Sequence, residues 1–151
     1  MKNYLAIGLL VLTGCQTPDA GVNTIDIVEY SAGKVDLPQL VSQKIRSGKT
    51  PILYFYADWC GPCRRYRELL QGPALQSALS KATLVKINID TDTVYSALYG
   101  IDAVPTFVKI DSTGDVLALI TSDRWEEDEP EAIAPVMRNL VEKQTYNIKA
   151  Q

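Results

Sequence analysis

The five residues Trp59-Cys60-Gly61-Pro62-Cys63 constrain this chain more than any other segment. They follow an apolar run, Ile52-Leu53-Tyr54-Phe55-Tyr56, that reads as a buried strand, and precede a helix-forming stretch over 64–71. Two cysteines spaced C-x-x-C between a strand and a helix put the first thiol at the positive end of the helix dipole. There the thiolate is favoured, and the sulfur is a nucleophile near neutral pH. The second cysteine, one helical turn on, is close enough to close a small disulfide ring. The pattern points to reversible thiol–disulfide exchange. A purely structural staple is the weaker reading, because so small a ring removes little chain entropy. A zinc half-site fails for want of ligands: the chain has 3 cysteines and no histidine.

The missing histidine also excludes Ser-His and Cys-His catalytic arrangements. A length of 151 residues suits one domain with a real core, and 46% hydrophobic with 22% charged residues is an ordinary globular balance. The net charge of −3 argues against nucleic acid as a partner and offers no basic patch for anionic lipid.

Residues 1–14 read as a targeting segment, with Lys2 as its positive start and Leu5 to Leu12 as a short apolar stretch. That stretch is too short to span a bilayer as a helix. Leu12-Thr13-Gly14-Cys15 resembles the lipobox of bacterial lipoproteins, which implies cleavage before Cys15 and its acylation. The alternative is an ordinary secretory signal that happens to hold a cysteine. Gln16, rather than Asp, follows Cys15 and by that resemblance favours the outer membrane. Residues 15–23 are polar and read as a lipidated tether reaching at most roughly 25–30 Å. The folded domain is expected over 24–145, with 146–151 as a tail.

Along that domain, Thr24 to Tyr30 alternates as a first strand, and Leu37, Leu40, Val41 and Ile45 keep helical spacing within 36–47. Pro51 to Ala57 is the central strand. A helix after the C-x-x-C breaks at Gly72-Pro73, and Pro73 opens a second piece through Leu79. Thr83 to Ile89 is a strand, and Val94, Ala97 and Leu98 mark a short helix. Val104 to Ile110 and Val116 to Ile120 flank the turn Asp111-Ser112-Thr113-Gly114. The last helix carries Ile133, Val136, Met137, Leu140 and Val141 on one stripe. The order predicts an α/β fold with a mixed sheet covered by helices on both faces.

Three separated signals, Tyr56-Ala57-Asp58-Trp59-Cys60-Gly61-Pro62-Cys63, Lys86-Ile87-Asn88-Ile89-Asp90 and Val104-Pro105-Thr106, resemble the thioredoxin family over nearly all of 24–143. The run before the first cysteine and the Gly72-Pro73 break are also similar to the C-terminal periplasmic domain of membrane disulfide reductases. The resemblance implies that Cys60 attacks a substrate disulfide and that Cys63 resolves the mixed disulfide. Trp59 is expected to wall an apolar contact surface around Cys60. Pro105 is expected to be a cis-proline that places the Val104 backbone beside Cys60, where a substrate strand can pair.

Two positions depart from the family. A buried aspartate six residues before the attacking cysteine is replaced by Tyr54, which offers only a hydrogen bond, while its usual partner lysine persists as Lys86. An uncompensated Lys86 ammonium would favour the Cys60 thiolate; otherwise Lys86 pairs with another acid, Asp58 or Glu68. Ser122 stands where the family has a glycine, and an acidic segment, 121–131, follows with one tryptophan. That segment either selects partners by charge or is a solvated loop favouring the next helix N-terminus.

The resulting expectation is a membrane-tethered thiol–disulfide oxidoreductase that reduces protein disulfides in the cell envelope. The sequence carries no nucleotide or flavin motif, so no cofactor is expected and electrons must come from another protein, such as a transmembrane reductase. An oxidase or isomerase, or a binding and assembly lipoprotein on the same scaffold, is the alternative.

Overall fold

The computed structural model describes residues 24–143. The expected targeting segment, Cys15, the tether, and the tail over 146–151 lie outside the described residues. Elements run β1 (Asp26–Glu29), α1 (Leu37–Arg46), β2 (Thr50–Tyr56), α2 (Gly61–Leu69), α3 (Pro73–Ala78), β3 (Ala82–Asn88), α4 (Thr93–Leu98), β4 (Thr106–Ile110), β5 (Val116–Thr121) and α5 (Pro130–Glu142), with a 3₁₀ turn at Ser122–Arg124. The strands form one sheet in the order β1-β3-β2-β4-β5. β1 and β2 flank β3 in parallel, whereas β4 runs antiparallel to β2 and β5.

β2 lies at the centre, and its five inner residues are buried. Alternation sends Ile52 and Tyr54 to one face, with Leu75 of α3, Leu79 just after it, and Ile133, Met137 and Leu140 of α5. Leu53 and Phe55 go to the other face, against Leu37 and Val41 of α1. Burial on both faces explains the near-continuous apolar run. α1 begins where the Asp36 carboxylate accepts the Gln39 N–H at 2.9 Å and stops before Gly48, whose φ of 78° is costly for other residues.

The described part of the expected architecture is present, with three local corrections. β4 begins at Thr106 rather than Val104, because Pro105 brings no N–H to a ladder. Ile27 is 39% exposed: β1 is an edge strand, and it is Ile25, just outside it, that reaches the core. On α4, Val94 and Leu98 point outward, while Tyr95 and Tyr99 pack inward beside Phe55 and Tyr30.

Candidate active site

α2 starts at the end of the loop that leaves β2, and this junction positions both cysteines. Cys60 is the N-cap, with extended backbone, and its sulfur accepts the Cys63 N–H at 3.1 Å. Pro62, in the first turn, lacks an N–H where the helix requires none. Gly61 has no positive φ, and nothing lies within 4 Å of where its Cβ would be. It leaves the surface beside Cys60 bare rather than answering a backbone need. Cys60 and Cys63 are joined as a disulfide, with sulfurs 2.13 Å and Cα atoms 5.3 Å apart. Cys60 keeps 4% of its surface and Cys63 none, so solvent reaches Cys60 first.

Around Cys60 the surface is built from separate elements. Trp59 is 67% exposed, its indole N–H directed to Asp90 Oδ1 at 3.4 Å. Opposite, the carbonyl oxygen of Val104 lies 3.5 Å from Cys60 Sγ, and the Val104–Pro105 peptide is cis. Thr106, next in chain, pairs with Thr121 at the end of β5, which brings Ser122 to the same end of the sheet.

Behind the disulfide, the Tyr54 hydroxyl donates to the Cys63 carbonyl at 3.1 Å, tying the central strand to the first turn of α2. Burial pushes the Tyr54 phenol far above its ordinary value, with the Arg67 guanidinium pulling the other way. Tyr54 is therefore neutral near pH 7 and offers no base to Cys63. Of the two readings of Lys86, the paired one holds: it is not an uncompensated cation, though its partner is neither Asp58 nor Glu68. Its ammonium is bonded to Glu29, because the β1–β3 register sets these two residues side by side. Arg67, on α2 itself, is a second cation here: its Cζ lies 4.9 Å from the Tyr56 ring centroid, and Lys86 Nζ lies 5.1 Å from the same centroid. Sequence reasoning missed Arg67.

The acidic segment keeps Asp123, Glu126, Glu127 and Glu129 exposed, with Glu131 in the first turn of α5, and it is anchored at Trp125. Trp125 is 8% exposed, packs on Tyr66 and Phe107, and donates to Asp128 at 2.8 Å. Arg65, on α2, donates to the Asp128 carbonyl and pairs with Glu129 at 2.9 Å. A lone tryptophan in a run of acids is the signal that marks this anchor.

A sheet of this order carrying a C-x-x-C disulfide at a helix N-terminus, opposite a cis-proline, defines a redox-active dithiol protein. Residues 37–128 match the thioredoxin family model, and the chain belongs to the thioredoxin family. It is 29% identical over 125 residues to mitochondrial thioredoxin of Rattus norvegicus, covering 80% of this chain and 71% of the rat protein. Thioredoxin of Mycoplasma genitalium is 41% identical over 63 residues, 40% of this chain and 57% of that protein. Among solved structures, thioredoxin NaTrxh of Nicotiana alata aligns with a TM-score of 0.57 at 18% identity, covering 78% of this chain and 95% of that one. Trxlp of Edwardsiella tarda gives 0.55 at 21%, covering 74% and 98%. These structural likenesses concern the fold. With the cysteine pair at disulfide distance, the family makes this chain a thiol–disulfide oxidoreductase.

Proposed function

We propose that the protein is a lipid-anchored, envelope-facing reductase of protein disulfides that receives its electrons from a membrane donor protein. The observation that carries the catalytic part is the position of Cys60, capping α2 with its sulfur 3.5 Å from the Val104 carbonyl. An extended substrate strand hydrogen-bonded along Val104 would present its disulfide to that sulfur. In the reduced protein, the Cys63 N–H and the helix dipole stabilise a Cys60 thiolate. Attack breaks the substrate disulfide and expels one substrate sulfur as thiolate. Cys63 then displaces the other, closing the Cys60–Cys63 bond. The anchor and the location rest on the sequence around Cys15, with residues 15–23 as the tether.

Insulin reduction driven by dithiothreitol tests the chemistry: the wild type accelerates it and Cys60→Ser does not. Cys63→Ala, which leaves mixed disulfides unresolved, is expected to retain substrate proteins covalently in envelope extracts. The equilibrium constant against glutathione separates a reductase from an oxidase or isomerase. Labelled palmitate is expected to enter the wild type and not Cys15→Ser. Equal insulin rates with and without Cys60 would leave a binding scaffold instead.

A further inference from the structure

Cys63 and Arg67 stand four residues apart on α2, the spacing that puts side chains on one helix face. Cys63 packs with Ala57, Cys60 and the half-buried Tyr56, and the Arg67 guanidinium lies over the ring of that tyrosine. Arg67 is itself half-buried, with a side chain 25% exposed, and its Nη1 is fully buried without a hydrogen-bond partner among the described residues. Its nearest carboxylate, Asp58 Oδ1, is 3.7 Å from Nη2 and belongs to a side chain 78% exposed, so water screens that pair. The guanidinium also reaches the Tyr54 phenol, but that group is neutral near pH 7 and leaves the charge uncompensated, and a half-buried cation favours any anion that forms beside it.

Other titratable groups lie on the elements around Cys63, among them Arg64, which follows it on α2 and donates to the Asp58 carbonyl. Tyr54 and Tyr56 on β2 and Tyr66 on α2 are phenols pushed up by burial, and all are neutral near pH 7. Lys86 on β3 is bonded to Glu29 of β1, and Asp58 lies in the loop before α2. None of these is a buried carboxylate able to take the Cys63 proton. The anion that thiol–disulfide exchange generates on this side is the Cys63 thiolate.

We propose that Arg67 is a positioning residue for the resolving step: its guanidinium, one helical turn from Cys63, stabilises the Cys63 thiolate that attacks the mixed disulfide on Cys60. The inference rests on the oxidoreductase reading above. In that step the Cys63 thiol gives its proton to water, and its sulfur electron pair forms the Cys60–Cys63 bond. The Cys60–substrate bond breaks, and its pair leaves on the substrate sulfur, which takes a proton from water. The substrate is reduced and the dithiol oxidised.

Reduced full-length protein carrying Cys15→Ser, mixed with Ellman's reagent in stopped flow, releases one chromophore when Cys60 attacks and a second when Cys63 resolves. Cysteine Cβ NMR shifts follow the Cys63 titration in parallel. Arg67→Met is expected to raise that titration by about one pH unit, a tenfold loss of thiolate at neutral pH. A more basic thiolate is intrinsically about threefold more nucleophilic, so the second release slows by only about threefold near neutrality. Above both titrations the order inverts, and the methionine variant resolves faster. Arg67→Lys restores wild-type behaviour. An unmoved Cys63 titration, or slowing of Met and Lys variants alike at every pH, overturns the proposal. If insulin turnover fails while the Cys63 titration still depends on Arg67, the oxidoreductase reading falls and the electrostatic assignment stands.

Discussion

Tyr66 follows Cys63 by three residues on α2 and is buried among Tyr54, Phe107 and Trp125, with ring centroids 5.2, 4.7 and 6.4 Å away. Its hydroxyl is buried and has no hydrogen-bond partner among the described residues. A polar group held this way costs free energy that the ring contacts must offset. Tyr66→Phe keeps every ring contact and removes the orphan oxygen, so it is expected to stabilise the fold by about 1 kcal/mol, read as a higher urea midpoint with an unchanged slope. A lower midpoint would mean that the hydroxyl has found a partner. Tyr54 presents the opposite case twelve residues earlier: its equally buried hydroxyl is used, binding the Cys63 carbonyl. The same residue type is thus a cost in one place and a tie between strand and helix in the other.

Among the elements, the connection from β5 to α5 combines exposed acids with a buried anchor. Trp125 fills the space beside Tyr66 and Phe107, and Arg65 clamps the segment that follows it. Trp125→Ala removes a large buried ring, for which about 3 kcal/mol of destabilisation is expected. The variant should also admit protease cleavage within 122–129, checked by limited proteolysis beside a urea melt; a cleavage pattern like that of the wild type would mean the anchor lies elsewhere. β2 and α5 are legible from local pattern alone, because an apolar run and a helical stripe each state their own burial. α4 is not, since tyrosine reads as amphipathic, and it is Tyr95 and Tyr99 that turn inward while Val94 and Leu98 stay outside. The cysteine pair and Pro105 are legible because their chemistry depends on short spacings. The Lys86–Glu29 pair joins residues 57 apart in sequence and exists only once β1 and β3 find their register. Arg67 likewise reads as an ordinary surface charge until α2 is laid against Tyr56.

Across the whole molecule, the sheet is closed on one side by β1, a strand of 4 residues paired, among the described residues, only to β3. Such an edge needs ties beyond its ladder, and Asp26 supplies them. Its Oδ2 accepts from Lys44 Nζ of α1 at 2.7 Å and from Thr83 Oγ1 of β3 at 2.5 Å, joining three elements at one carboxylate. Burial alone would raise the Asp26 pKa, but the hydrogen bonds from Lys44 and Thr83, with the lysine charge, outweigh it and hold the carboxyl below its ordinary 3.8. A carboxyl depressed in the folded state binds fewer protons there than in the unfolded chain. Its contribution to stability is therefore full above the unfolded value and fades as pH falls through the lower folded one. Asp26→Asn removes that contribution, at an expected cost of about 1–2 kcal/mol near pH 7. The gap from wild type should stay constant down to about pH 4 and then close as the wild-type carboxyl takes up its proton. Urea melts of the two proteins between neutrality and strong acid measure this directly. A gap that persists undiminished below the folded pKa would show that the cost of Asp26→Asn does not come from the ionised carboxylate.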